Sequence, residues 1–465
     1  MTAGGPSREA RVIEAALNRA AGGRPIPGNR VRLLSDGPET YDVMLDLIAR
    51  AERRIHLENY IIRDDDTGRR FAQALAARAR DGVRVRVMYD RLGSFATGRA
   101  YWRGLRDAGV EIRGFNPPQL LRVFANLTRN HRKLLVTDSR QAVIGGQCIG
   151  DEWAGDAARG IPPWRDTGVS IAGPAACALD FAFATTWAVS GPPLAAEELT
   201  AEAEPGGDAR VRVIVGEPGR ERAYRALEYV TAGSIDRLWI TDAYLVPPPR
   251  LFEALVDAAR DGADIRLLVP GTSDVPLVRN LTRIGYRRLL RAGIRIFEWA
   301  GPMLHAKTLV ADGRWARVGT SNLNASSLLG NYELDVLIED EAFAQAMEAQ
   351  FQRDMESSLE VQRRPYRAPK RLQPMLPSGL ARLPPGQLPP RAHARRELRG
   401  RAALATRTLI SAARRSIYGP LSAGLVILGL LFLGLPSAMA YAFGAVCVWL
   451  AVAAGLEAFA RRQDG

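Results

Sequence analysis

"NHRKLLVTDSRQAVIGGQCIG" (residues 130–150) and "MLHAKTLVADGRWARVGTSNLN" (residues 303–324) are two versions of one pattern. Each places histidine and lysine two residues apart, His131 with Lys133 and His305 with Lys307. Aspartate follows the histidine at +7 (Asp138, Asp312) and glycine at +14 (Gly145, Gly319). The chain is poor in both leading residues: it has 4 histidines, and only Lys133, Lys307 and Lys370 among its 63 Lys and Arg. One His-x-Lys arises by chance in many strands, but two with matching flanks in this composition mark a duplicated function. On a strand, residues two apart face the same side, so each histidine and its lysine project together. Asp138 and Asp312 sit at an odd offset, in the turns "TDSR" and "ADGR", and read as scaffolding on the other face. The glycines let backbone approach a ligand closely.

Moving outward, the duplication extends across the chain. "ALAARARDGVRVRVMYD" (74–90) resembles "ALVDAARDGADIRLLVP" (254–270), and "LRDAGVEI" (105–112) resembles "LLRAGIRI" (289–296). In both copies an apolar strand comes first, "RRIHLENYII" (53–62) and "DRLWITDAYLV" (236–246). Strands alternating with helical segments at this spacing predict an α/β sandwich, built twice and associated about a pseudo-two-fold axis. Glu58 and Tyr60 parallel Asp242 and Tyr244 at the end of the first strand of each half, where they line the site or pack the strand end. His56, inside its apolar strand, reads as structural, and His393 as solvated. The tryptophans carry no special reading.

The expected division is an N-terminal tail (1–28), a first half (29–195), a Pro/Ala/Glu-rich connector (196–210) and a second half (211–360). A basic Pro/Arg-rich linker (361–415) and an apolar segment (416–460) follow. From Ser416 to Leu456 no charged residue occurs. A bilayer core of about 30 Å needs about 20 apolar helical residues, so this run suits two crossings. Pro436 falls near its middle, Arg414 and Arg415 precede it, and Arg461 and Arg462 follow. That pattern predicts a transmembrane helical hairpin with both ends in the cytoplasm. The linker before it would be drawn to anionic headgroups, or else serve as a solvated spacer with no binding role.

Composition sets further bounds. At 465 residues with a net charge of +13, the chain has room for two or three domains and calls for an anionic partner, nucleic acid or membrane surface. Three cysteines, Cys148, Cys177 and Cys447, form no pair-spaced framework, so a reducing compartment is expected. The first twenty residues lack the apolar core of a cleaved secretory signal.

Two histidines and two lysines together suit phosphate chemistry. Lysine is a poor neighbour for a divalent metal, and no ligand-spaced cluster appears, so neither a metal nor another cofactor is expected. Lysine is a point charge for phosphate. One histidine can attack phosphorus while a second, protonated, donates to the leaving oxygen.

With these residues the sequence resembles the phospholipase D superfamily, whose signature H-x-K-x4-D is matched by "HRKLLVTD" and "HAKTLVAD". Within it, "NHRKLLVTDSRQAVIGGQCIGDEW", "WRDTGVSIAGPA" and "GTSNLNASSLLGNYEL" are most similar to bacterial cardiolipin synthases. The resemblance covers about residues 29–360. It implies a catalytic set of His131, Lys133, Asp138, His305, Lys307 and Asp312, with Asp166 and Glu333 orienting the histidines. It also implies Thr320, Asn322, Gly145 and Gly146 on the substrate side, and a phosphatidyl-histidine intermediate, with His131 as nucleophile on family precedent. The sequence departs from the pattern at Cys148 (usually Asn or Ser), Gly168 (often His) and Asn324 (often Asp), which touches acceptor specificity. The apolar hairpin is C-terminal where many relatives carry theirs at the N-terminus. The implied reaction is two phosphatidylglycerols giving cardiolipin and glycerol, at the cytoplasmic face of the cell membrane and with no nucleic acid partner. A hydrolase of the same chemistry, a nuclease, and a non-catalytic scaffold for anionic lipid are the competing readings.

Overall fold

Fifteen strands run side by side in a computed structural model of the chain, which describes residues 8–116, 128–199, 203–362 and 449. The first half supplies β1 (Ile26–Ser35), β2 (Arg54–Asn59), β3 (Arg84–Asp90), β4 (Glu111–Phe115), β5 (Leu134–Thr137), β6 (Gln141–Gly145) and β7 (Thr167–Ala172). The second supplies β8 (Ala209–Gly216), β9 (Arg237–Asp242), β10 (Asp264–Pro270), β11 (Arg295–Trp299), β12 (Lys307–Ala311), β13 (Trp315–Gly319) and β14 (Glu333–Glu339), and β15 (Ser358–Glu360) closes the edge. The order is β15-β11-β10-β9-β12-β13-β14-β8-β1-β7-β6-β5-β2-β3-β4. Outward from the antiparallel β1–β8 junction each half repeats the other strand for strand, as a gene duplicated about a two-fold would.

In each half three neighbouring strands are parallel, β2-β3-β4 and β9-β10-β11, joined by helical crossovers such as Asp66–Arg80 and Pro249–Arg260. Parallel strands are covered on both faces, and every residue of "RIHLEN" and "RLWITD" after the leading arginine is buried, polar ones included. One shared core joins the halves. Phe183 and Trp187 of helix Pro174–Val189 and Phe343 and Phe351 of helix Glu341–Glu356 pack there with strand residues of both halves, including Ile144, Val169, Val318 and Val336. Helix Pro174–Val189, "PAACALDFAFATTWAV", is mostly apolar and buries Leu179, Phe183 and Trp187 in this core, while Phe181 stays exposed. His56 is spent on this packing. Its ring stacks on Phe183 at 4.5 Å and its Nδ1 meets Asp180.

Several expectations are corrected. The stretch assigned to a tail, 1–28, contains a helix, Arg8–Ala21, whose Leu17 and Ala21 are buried with Ala223, Leu227 and Val230 of the second half. β1 already begins at Ile26. The 196–210 connector is partly fastened, with Glu198 paired to Arg84 at 2.6 Å and to Arg86 at 2.7 Å, and β8 starts within it at Ala209. The motif strands begin only at Leu134 and Lys307, so His131, Lys133 and His305 lie in extended segments just ahead of them. Apart from residues 361, 362 and 449, the 361–415 linker and the 416–460 hairpin lie outside the described residues. Among the described residues no helix is long and apolar enough to cross a membrane.

Candidate active site

The segments that carry the histidines cross from one half to the other. The backbone N–H of His131 donates to Tyr332 O at 2.9 Å, and Tyr332 N–H to Arg129 O at 2.9 Å. The second copy repeats this: His305 N–H donates to Arg165 O at 2.7 Å, and Arg165 N–H to Met303 O at 2.9 Å. Each histidine is thereby laid beside a carboxylate of the opposite half.

His131 Nδ1 donates to Glu333 Oε2 at 3.0 Å, with Thr320 O at 3.1 Å. His305 Nδ1 donates to Asp166 Oδ2 at 2.8 Å. Both carboxylates are buried and held from behind. Glu333 accepts from Thr320 Oγ1 at 2.6 Å and from Ser327 Oγ, and Asp166 from Thr167 N–H at 2.8 Å and Trp153 Nε1 at 3.1 Å. A carboxylate on Nδ1 fixes the tautomer and leaves Nε2 for chemistry. Both rings line a single cleft of about 610 Å³, with Tyr60, Tyr244, Cys148 and Asn322. The ammonium of Lys133 donates to His131 O at 2.7 Å, and that of Lys307 to His305 O, so each lysine is pinned beside its own histidine. Lys133 lies 5.3 Å from the Tyr60 ring centroid and Lys307 5.8 Å from that of Tyr244.

Burial governs the protonation of these groups. It pushes His131 below its ordinary value, against the pull of Glu333. Burial, with Lys307 nearby, pushes His305 down to about 4, and burial pushes Lys307 down to about 8. For Glu333 and Asp166 burial alone would raise the carboxyl, but the facing imidazoles outweigh it and both fall below the usual range. Burial also raises the Cys148 thiol, partly offset by Lys133.

Several expected site residues take other work. Asp138, grouped with the catalytic residues by resemblance, accepts the backbone N–H groups of Glu52, Arg53 and Arg54 at 2.9, 2.8 and 2.9 Å. Asp312 does the same for Ile235, Asp236 and Arg237 at 3.0, 2.9 and 2.9 Å. Both stand at the end of the motif strand opposite the histidines, with φ of 54° and 51°, and clamp the start of the neighbouring strand. Replacing Asp312 by alanine removes three hydrogen bonds, two of them exposed to water, and should cost about 1–3 kcal/mol in chemical unfolding. Turnover per folded molecule should stay within about threefold, because hydrogen bonds this far from the cleft do not touch the reacting atoms. A hundredfold fall in turnover at unchanged stability would restore a catalytic role.

Thr320 is fully buried, and its hydroxyl is spent on Glu333 and on accepting Leu334 N–H at 2.9 Å, so it positions a carboxylate and does not meet substrate. The glycines, read as room for a ligand, make room for protein. A Cβ on Gly146 would stand 2.1 Å from Asp166 Oδ1, one on Gly145 2.4 Å from Gln147 Oε1, and one on Gly319 2.0 Å from Asp335 Oδ1. Asn322 does face the cleft, buried, with its Oδ1 unpartnered among the described residues. Gly168 is buried beside the Gln147 side chain, away from the cleft lining, so its departure from the family pattern reports packing.

The sequence reading missed the tryptophans. Trp153 meets the His305 ring edge-on at 5.4 Å while donating to Asp166, and Trp164 lies 5.9 Å from the same ring. It also missed Ser327, which binds both Glu333 and Asn322 N–H. Their signal was adjacency, since "PPWRDT" carries Trp164 two residues from Asp166. Among the described residues no three His, Cys, Asp or Glu side chains are grouped as metal ligands would be.

Two like halves, each lending a histidine to the other's carboxylate across one cleft, define a protein of the phospholipase D type. Residues 44–151 and 231–355 match the family described as cardiolipin synthase, PLD-like domain. Cardiolipin synthase A of Pseudomonas fluorescens is 32% identical over 354 residues, 75% of this chain and 73% of its own. Its counterpart in Pseudomonas aeruginosa is 34% identical over 364 residues, 77% and 73% of the two chains. In fold, phosphatidylserine synthase of Haemophilus influenzae superposes with a TM-score of 0.57 at 14% identity, over 75% of this chain and 92% of that one. The chain belongs to the cardiolipin synthase-like family of the phospholipase D superfamily, and is a phosphatidyltransferase of that superfamily.

Proposed function

We propose that the protein joins two phosphatidylglycerol molecules into cardiolipin and glycerol through a phosphohistidine. The observation that carries this reading is the crossed pairing of His131 with Glu333 and His305 with Asp166 around one cleft. In the first step Nε2 of one histidine attacks the phosphorus of the donor lipid. The P–N bond forms, the P–O bond to the terminal glycerol breaks, and the other ring gives its Nε2 proton to the departing oxygen. A second phosphatidylglycerol then enters. The now neutral ring takes the proton of its primary hydroxyl, the new P–O bond forms, and the P–N bond breaks. Lys133 and Lys307 offset charge on the phosphoryl oxygens in both steps. Carbon-14 phosphatidylglycerol in vesicles should yield labelled cardiolipin and free glycerol. Phosphatidic acid as the sole product would make the protein a hydrolase.

The cleft gives two smaller predictions. Asn322 can donate to a phosphoryl oxygen, whereas the Cys148 thiol at the matching place in the first half is a weak donor. Asn322→Ala should lower kcat/KM by about 10–100-fold, the worth of a hydrogen bond to a charged group, and Cys148→Asn should change it by no more than about threefold. Equal effects would mean that the halves share the phosphate symmetrically. The second concerns pH. Lys307, pushed down to about 8, loses its charge as pH rises through that value, so kcat/KM should fall above about pH 8. In Lys307→Arg the guanidinium does not titrate in this range, and the alkaline fall should move upward by at least one pH unit. An unmoved fall would assign it to another group.

The two catalytic halves, taken as 29–195 and 211–360, would be held at the cytoplasmic face of the cell membrane by the 416–460 hairpin. The 361–415 linker would add attraction to anionic headgroups. A reporter fused after Gly465 that is active only outside the cytoplasm would refute the hairpin.

A further inference from the structure

Apolar side chains stand exposed on both rims of the cleft, in pseudo-equivalent places. On the first-half rim the turn after β3 exposes Leu92 and Phe95, the latter 78% exposed. This turn is built onto the cleft wall: Ser94 Oγ donates to Tyr60 O at 3.2 Å, and a Cβ on Gly93 would stand 2.3 Å from that same oxygen. On the second-half rim the segment after β10 covers the matching tyrosine, whose hydroxyl donates to Asp274 at 2.8 Å. Val275 follows, and helix Pro276–Arg291 then exposes Leu277, Leu281 and Ile284, the last 76% exposed. Positions 277, 281 and 284 fall on one helical stripe. That stripe runs continuously into the cleft, whose lining includes Val275, Val278 and Leu281.

Leu92, Phe95, Val275, Leu277, Leu281 and Ile284, six of the thirteen large exposed apolar residues among the described residues, gather at these two rims. Cations accompany them. Arg91 and Arg99 bracket the first-half turn, and Arg287 lies one turn beyond Ile284 on the helix; all three are exposed, and none makes an ion pair among the described residues. Exposed apolar residues edged by arginines suit one occupant, an anionic phospholipid surface. Apolar chains enter the headgroup boundary while guanidinium groups meet the phosphates.

We infer that the catalytic body itself docks on an anionic bilayer, its two apolar rims entering the headgroup layer on either side of the cleft. A lipid diffusing in the plane would then reach Nε2 of either histidine without leaving the membrane. This rests on the lipid-transfer reading above and adds a contact surface to it, one that does not depend on residues 416–460.

The test uses full-length protein reconstituted in phosphatidylglycerol–phosphatidylcholine vesicles. A nitrobenzoxadiazole label is placed by Phe95→Cys or Ile284→Cys, with Ile235→Cys as control. Ile235 is also exposed, but it lies at the opposite end of the strands, where its N–H meets Asp312. The labelled parent, with its own cysteines, gives the background. Lipids brominated along their acyl chains should quench the labels at 95 and 284 at least threefold more than the label at 235. Quenching equal to the control would overturn the inference. So would protection from iodide without bromolipid quenching, since another stretch of this chain or a second copy would then cover the rims.

A second arm reads activity. The variant Leu92→Gln/Phe95→Gln/Leu277→Gln/Ile284→Gln touches no cleft-lining residue. Its rate on vesicle phosphatidylglycerol, relative to short-chain phosphatidylglycerol below its micelle concentration, should fall at least about tenfold, because four buried contacts with the bilayer are lost. An unchanged ratio would also overturn the inference. If the parent made no cardiolipin from either substrate, the transfer reading would fail, while the bromolipid result would still decide the docking surface.

Discussion

Replacing either His131 or His305 by alanine is expected to lower turnover of phosphatidylglycerol by at least about 10³–10⁴-fold, with the double variant no worse than either single one. The two rings do different jobs on one phosphorus atom, so losing either stops the same cycle. The expectation is sharper because, among the described residues, neither ring has a substitute: the one other histidine, His56, is packed on Phe183. Water could replace the acid only weakly in a site where the His305 ring is buried and the His131 side chain is only 12% exposed. The fold should survive. Removing His131 leaves Glu333 with Thr320 and Ser327 as donors, and removing His305 leaves Asp166 with Trp153 and the Thr167 N–H. Each variant should therefore lose only about 1–3 kcal/mol of stability, which thermal melting can follow beside the rate. Activity within tenfold of the parent in either variant would sink the two-histidine mechanism.

What the sequence disclosed depended on how local its signal was. The motif spacing and the Ala-Arg-Asp-Gly repeat are short-range; they foresaw two α/β halves and singled out His131, Lys133, His305 and Lys307, whose two histidines line one cleft. The carboxylates Asp166 and Glu333 came from resemblance alone, because their pairing with the histidines is made between halves. No spacing rule reports that Glu333 serves the first-half histidine and Asp166 the second. Asp138 and Asp312 were legible in part. Their odd offset pointed away from the histidine face, but the three backbone N–H groups each one clamps belong to a strand more than seventy residues earlier. The glycines misled for a related reason. A glycine announces close approach without naming what approaches, and here it is the Asp166 and Asp335 carboxylates. The helix Arg8–Ala21 was taken for a tail because its partners, Ala223 and Leu227, lie in the other half of the chain.

The crossed pairing makes the second large prediction. Glu333→Gln and Asp166→Asn should each lower kcat by about 10²–10⁴-fold, as loss of a carboxylate that fixes an imidazole tautomer does. Both side chains are buried, so no bulk water can take over the Nδ1–H. An amide can also turn its NH₂ toward Nδ1, which moves the ring proton to Nε2 and blocks attack. The two variants should nevertheless fail at different steps. A phosphatidyl ester of p-nitrophenol needs little help from an acid to expel its leaving group. With that substrate, the variant that cripples the acid–base ring should still form the phosphohistidine and release one burst of nitrophenol, then stall. The variant that cripples the nucleophile should show no burst. If His131 is the nucleophile, Asp166→Asn bursts and Glu333→Gln does not, and acid quench labels the His131 peptide. Burial pushes both rings below their ordinary value, so either is suited to attack. The reversed burst pattern, with label on the His305 peptide, would assign attack to that ring. Turnover within tenfold of the parent in both variants would mean that the crossed carboxylates have no part in the chemistry.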